Sequence, residues 1–288
     1  MSVDVFEVAV GPLVFSAHAA GPQDGRLVLL LHGFPQTSFE WRHQMAALAA
    51  AGYRAVAYDQ RGYSPGARPG RVEDYHLEHL VADVLAVADG LGAARFDVVG
   101  HDWGGAVAWV VAARHPDRVR TLTAVSMPHP AAFAEALFGG DSDQAAKSSY
   151  IAVLRAEGAA EALLLAGNGE GLRRVFAGTG HPAPEALDEY VGVLTQPGAL
   201  TAALNWYRSL SPADAPAVLG ALKPVAVPTL YVWGDGDTAL GRAAAEATAG
   251  FVEGPYRFEA LAGVGHWIPE EVPERFNALL VDHLAASD

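Results

Sequence analysis

The chain has 288 residues, with 33 acidic against 19 basic side chains, a net charge of −14 and no cysteine. The basic residues are scattered without a run of three, which excludes the clustered Lys/Arg that nucleic acid or an anionic membrane calls for. A chain without cysteine has no disulfide framework and no thiolate chemistry, and no apolar stretch here is long enough to cross a bilayer.

The N-terminal MSVDVFEV alternates like a strand and lacks the basic start and apolar core of a secretory leader. A soluble, cytoplasmic protein is expected. Val3 to Val10 and Leu13 to His18 alternate around Gly11-Pro12, which predicts an antiparallel hairpin at a sheet edge. The continuous apolar run Leu27 to Leu31 predicts a central strand ending in His32-Gly33-Phe34-Pro35. Phe39, Met45, Leu48 and Ala49 space a helix over 38–50, and Ala55 to Tyr58 returns as a strand. The polar turn Asp59-Gln60-Arg61-Gly62-Tyr63-Ser64 follows, with charges placed to hold a loop together. Asp74 is then the expected cap of a helix burying Leu77, Leu80, Val81, Val84, Leu85 and Ala88 and ending at Gly90 and Gly92.

Phe96 to Val99 predicts a buried strand and Ala106 to Arg114 a helix, with Val119 to Val125 the strand after it. Beyond Met127-Pro128 the alternation of strand and helix stops. Residues 129–222 hold helical patterns punctuated at Gly139-Gly140, Gly178 to Pro184 and Gln196-Pro197-Gly198, but no convincing strand. Alternation resumes with a strand at Thr229 to Trp233, a helix at Ala243 to Ala249, a strand at Arg257 to Leu261 and one closing helix from Pro269 to Ala286. The organisation predicted is an α/β core from 1–128 and 223–288, with a mostly parallel sheet flanked by helices and a helical cap inserted over 129–222.

Between the strand and helix around residue 100 lies Gly100-His101-Asp102-Trp103-Gly104-Gly105. So tight a strand-to-helix turn needs glycines around its apex, which lifts the apical side chain out of the backbone. The pattern G-x-D-x-G is a nucleophile elbow with aspartate as the exposed group, whereas an isolated aspartate here would only cap the helix. Asp102, Asp237 and His266 all fall at C-terminal strand ends, the edge along which parallel sheets assemble sites. Their order, nucleophile, acid, base, is that of the α/β-hydrolase triad. Asp235 competes with Asp237, but a carboxylate must stand a few residues past its strand to reach back to the histidine. Main-chain N–H groups of Phe34 and Trp103 are the candidate oxyanion donors. His32 and His101 are expected to pack beneath the elbow and the upstream loop. No cofactor and no metal are expected, since no His/Asp/Glu cluster has ligand spacing around an open cavity.

The stretches HGFPQTSFEWR, YDQRGYS, VVGHDWGG, NWYR and VGHW together resemble the epoxide hydrolases of the α/β-hydrolase fold, over nearly the whole chain. The resemblance implies that two cap tyrosines hold the epoxide oxygen. Tyr207, in Asn205-Trp206-Tyr207-Arg208, matches the second, and Tyr150 matches the first by position. A carboxylate is already ionised at neutral pH and attacks a saturated carbon unaided, giving an ester that water activated by His266 then cleaves. An epoxide leaves as an alkoxide that needs a proton. A halide needs only N–H donors, which Trp103 and Trp206 could offer in the dehalogenase alternative. A ligand receptor without turnover is a third reading, which the three intact polar groups disfavour. Phe34, Pro35, Trp103, Trp206 and Trp267 are the expected contacts for a small apolar or aromatic epoxide, with water as co-substrate and a homodimer as an open possibility.

Overall fold

The computed structural model describes residues 3–140, 143–176, 182–210 and 222–287. Eight strands form one sheet: β1 (Asp4–Val10), β2 (Leu13–Ala20), β3 (Leu27–Leu31), β4 (Arg54–Tyr58), β5 (Phe96–His101), β6 (Val119–Val125), β7 (Thr229–Gly234) and β8 (Tyr256–Leu261). Their order is β1-β2-β4-β3-β5-β6-β7-β8. The hairpin β1/β2 turns with Val10 opposite Leu13, β2 pairs antiparallel with β4, and every pairing from β4 to β8 is parallel. The strand order reverses at β3, so the C-terminal ends of β3 and β5 border the crevice where open α/β sheets take their ligands.

Helices cover both faces, which is why β3, β5 and β7 are buried along their whole length. These are α1 (Arg42–Ala50), α2 (Leu77–Gly90), α3 (Trp103–Arg114), α10 (Arg242–Ala247), α11 (Ile268–Glu271) and α12 (Pro273–Ala285). Between β6 and β7 lie α4 (Pro130–Phe138), α5 (Gln144–Lys147), α6 (Tyr150–Arg155), α7 (Ala159–Val175), α8 (Pro184–Leu194) and α9 (Ala199–Ser209), with no strand among the described residues. Residues 178–181 of the predicted Gly/Pro break and 211–221 of the predicted cap lie outside the described residues. None of the described helices is long and apolar enough to cross a membrane.

Three local expectations are corrected. Asp74 does not cap α2: it sits in a 3-10 turn, Val72–Tyr75, and the residue before the helix is His76. Residues 38–50 divide into a 3-10 turn, Ser38–Trp41, capped by Thr37, and then α1. The closing segment is two helices, because Pro273 cannot donate a helical N–H and forces Val272 into an extended φ of −136°. Phe276, Leu280 and Leu284 still pack inward as their spacing requires.

The outer ends of the sheet are tied by buried charge. Arg26 holds Asp97 through two 2.6 Å hydrogen bonds, Thr121 donates to the same carboxylate at 2.7 Å, and Arg26 also reaches the Leu284 carbonyl at 3.2 Å. This cluster joins β3, β5, β6 and the C-terminal helix at the end opposite the crevice. At the crevice end, Arg61 pairs with Asp83 at 2.7 Å through two nitrogens, and its carbonyl accepts from the Trp206 indole at 2.8 Å. The turn after β4 therefore anchors α9, in keeping with the structural part expected for its charges.

Candidate active site

The elbow is built from backbone that only particular residues allow. Asp102 adopts φ 51°, ψ −121°, a sparsely populated conformation for a residue with a Cβ, costing on the order of 1–3 kcal/mol. It persists because β5 and α3 both pack around it. A Cβ on Gly104 would lie 2.0 Å from the Leu31 carbonyl oxygen, and one on Gly33 would lie 2.4 Å from the Asp102 Cβ. The two glycines let α3 start over the sheet edge and let the loop after β3 close upon the carboxylate. The helix begins at Trp103, three residues earlier than the apolar pattern alone suggested.

That closure gives Asp102 two differentiated oxygens. Oδ1 accepts a 2.9 Å hydrogen bond from the Phe34 main-chain N–H. Oδ2 faces the His266 Nε2 at 3.6 Å, an ion-pair separation longer than a full hydrogen bond. The Trp103 N–H makes no hydrogen bond to the carboxylate among the described residues, although it belongs to the next residue.

On the other side of the ring, His266 Nδ1 lies 2.7 Å from Asp237 Oδ2. The remaining oxygen of Asp237 accepts from the N–H groups of Ala239 (2.7 Å) and Leu240 (2.9 Å). Asp235 points elsewhere, accepting from the Gly263 N–H at 2.6 Å. Both carboxylates of the turn after β7 face the loop after β8, Asp235 at Gly263 and Asp237 at His266.

Electrostatics follow this geometry. Burial disfavours the Asp102 carboxylate, but the hydrogen bond and charge of His266, then His101 and the Phe34 N–H, outweigh it and hold its pKa below the usual carboxylate value. Burial likewise opposes charge on His266, yet Asp237 and Asp102 together push its pKa up to about 10. The resting site is an imidazolium between two carboxylates.

Tyr150 and Tyr207 reach the same place from the helical segment. Asp102, Tyr150 and Tyr207 line both of two cavities, of about 330 and 350 Å³. Burial, followed by the Asp102 charge, raises both phenols above their usual value, with Asp237 adding to Tyr150 and the neighbouring phenols Tyr150 and Tyr63 to Tyr207; the Trp103 side chain acts on Tyr207 in the opposite sense. Tyr150 keeps 38% of its surface open because both cavities run past it. Tyr207 is held by edge contacts to Phe34 and Trp103, with ring centroids 5.4 and 5.2 Å away.

Of the other expected contacts, Phe34 and Trp267 line the second cavity and Trp103 the first. Pro35 and Trp206 line neither. Trp206 is buried, and its N–H is spent on the Arg61 carbonyl. His32 and His101 pack as expected: His32 Nε2 accepts from the Gln60 N–H at 3.0 Å, and His101 Nε2 lies 2.9 Å from the His266 carbonyl. A carbonyl only accepts, so that nitrogen of His101 is a donor.

The sequence reading missed Glu40, fully buried with Oε1 2.7 Å from His101 Nδ1. Its only signal is a carboxylate between two large apolar neighbours, Phe39 and Trp41. It also missed the apolar wall supplied by α4, including Phe133, Leu137 and Phe138.

Comparison with known proteins agrees with this architecture. The family described as alpha/beta hydrolase fold matches residues 26–273. Epoxide hydrolase 3 of Xenopus tropicalis is 35% identical over 277 residues, covering 92% of this chain and 73% of its own. Epoxide hydrolase A of Mycobacterium tuberculosis is 34% identical, covering 92% of each. The crystal structure of epoxide hydrolase A from Mycobacterium thermoresistibile superposes with a TM-score of 0.83 at 31% identity, over 99% of this chain and 98% of that one. With its sheet order, its elbow and these relatives, the chain belongs to the α/β-hydrolase fold family, among the epoxide hydrolases.

Proposed function

We propose that the protein hydrolyses an epoxide to a vicinal diol through an ester on Asp102. The observation that carries this reading is a carboxylate at the elbow that shares its cavity walls with two protonated phenols. The names of the relatives support the same activity.

Asp102 is ionised and needs no base for its attack on a ring carbon. The carbon–oxygen bond that breaks leaves an alkoxide, and Tyr150 and Tyr207, with pKa values raised above the usual phenol range, are the acids beside it. One phenol gives up its proton to that oxygen. Esterification also removes the Asp102 charge, and with it two of the four influences that keep His266 protonated. The imidazolium can then return a proton to the phenolate and become the neutral base that the second step needs.

In that step a water adds to Asp102 Cγ while His266 Nε2 takes its proton. The Phe34 N–H, already on Oδ1, meets the developing oxyanion, and the Trp103 N–H is the second candidate donor. Collapse breaks the bond from Cγ to the diol oxygen, which takes the proton of the newly added hydroxyl as it leaves; the carboxylate and the imidazolium are restored, and protons balance over the cycle. Asp237, fixed by two loop N–H groups, keeps the Nδ1–H of His266 in place throughout.

The halide reading requires two N–H donors facing the nucleophile. The Trp206 indole, engaged with Arg61, is not free to be the second. The ester is tested by a single turnover in heavy-oxygen water. The diol should emerge unlabelled and the label should appear in Asp102. Label entering the diol in that first turnover would refute the covalent route.

A further inference from the structure

The two cavities extend away from the nucleophile in different company. Among the described residues, only Asp102, Tyr150 and Tyr207 belong to both. The first continues past Trp103, Met127, Phe133 and Phe138. The second continues past Val153, Leu154, Leu163, Val175 and Trp267 and is the one that His266 lines. The hydrolytic water therefore belongs to the second cavity, but water does not account for its size: one molecule takes about 30 Å³, against about 350 Å³ in all. A wall of valines and leucines is also a poor reservoir for water.

We propose that the two cavities hold the two substituents of one substrate, so that the protein prefers epoxides carrying apolar groups on both ring carbons. This rests on the epoxide reading above. Each cavity alone has the size of a small-molecule site. The polar groups that could orient a reactant, the carboxylate and the two phenols, stand where the cavities meet, which places the three-membered ring at the junction and one carbon toward each side. A terminal epoxide fills one side and leaves the other apolar wall wet. Both sides also reach solvent past large apolar side chains, Phe138 on the first, Val153 and Leu163 on the second, each about half exposed. Arms of unequal length are thereby accommodated. Among the described residues, the Arg155 guanidinium in the first wall spends Nη1 on the carbonyls of Tyr207 and Leu210.

The test compares kcat/KM for styrene oxide and for trans-2-phenyl-3-propyloxirane, which share the phenyl group and differ in the second arm. Burying one methylene is worth about fourfold, so three carbons should raise kcat/KM by at least about tenfold after ordering losses. Equal or lower kcat/KM for the disubstituted epoxide overturns the proposal. Styrene oxide turned over with the larger substrate refused would leave the epoxide reading standing and sink the two-arm inference. Turnover of neither would sink both. Val153→Trp and Leu163→Trp, at half-exposed positions on the second cavity only, should each lower the ratio of the two kcat/KM values at least about fivefold by removing room for the second arm. An unaltered ratio in both folded variants overturns the assignment.

Discussion

Asp237→Asn separates the two halves of the proposed reaction, and its effect can be worked from the hydrogen bonds. In the parent, one oxygen of Asp237 takes the N–H groups of Ala239 and Leu240 while the other faces His266 Nδ1. Asparagine has one oxygen for these two tasks. If its amide nitrogen turned to the loop, two N–H groups, that of Leu240 buried and that of Ala239 partly buried, would lose their acceptor at about 1–3 kcal/mol each. The oxygen therefore stays with the loop and the NH₂ group faces His266. A donor there makes Nδ1 the acceptor and moves the ring proton to Nε2, where it faces the ester and cannot take a proton from water. The competing orientation is disfavoured by about 2–6 kcal/mol, so hydrolysis should slow on the order of 30-fold to 10⁴-fold. A wrong-tautomer substitution in a serine triad costs about 10⁴-fold. Alkylation needs no base and should persist. Intact-protein mass spectrometry after mixing with styrene oxide should show the ester accumulating as a stable adduct. Turnover within about tenfold of the parent, or an inert variant that never gains mass, would refute the reasoning.

Tyr207→Phe should slow alkylation on the order of 10²-fold, and the double variant with Tyr150→Phe should nearly abolish it; single-turnover kinetics read both, and a double variant at close to the parent rate would place the acid elsewhere. His266 has a folded pKa raised from 6.5 to about 10, so its contribution to stability is complete below about pH 6.5 and is lost as pH rises toward 10. Thermal melts across that window should therefore fall in the parent and flatten in His266→Gln; parallel curves would contradict the charged resting state. Arg26→Met leaves the fully buried Asp97 carboxylate without its cation, which should cost about 3–5 kcal/mol in urea unfolding. Activity of the folded fraction should survive, because that pair sits at the end of the sheet away from Asp102.

Much of the site was legible because its determinants are local. Gly100-x-Asp102-x-Gly104 between an apolar strand and an alanine-rich helix admits few backbones, and the structure places Asp102 at positive φ between them. The strand at 27–31 could be read from a continuous apolar run, since a strand buried on both faces shows no alternation. The hairpin over residues 4–20 was legible for the opposite reason, because an edge strand keeps one face in water. Local rules also mark where the reading fell short: Pro273 was visible, and the break it imposes on the closing helix follows from its missing N–H alone.

Tertiary structure decided the contacts that local rules leave open. Asp235 and Asp237 share one turn and one residue type; reach past the strand favours the second, and the packing of the loop after β8 sets His266 against it. Trp206 reads as an available N–H donor until α9 docks on the turn after β4 and Arg61 takes it. Glu40, a lone carboxylate between Phe39 and Trp41, gains its partner only when the turn before α1 folds and presents it to His101. The two cavities are the clearest case, because their walls come from α3, α4, α6, α7, α9 and the loops after β3, β5, β6, β7 and β8. Periodicity and turn chemistry specify each of those elements separately; the space between them is set by how they pack, through contacts spanning more than a hundred residues of chain.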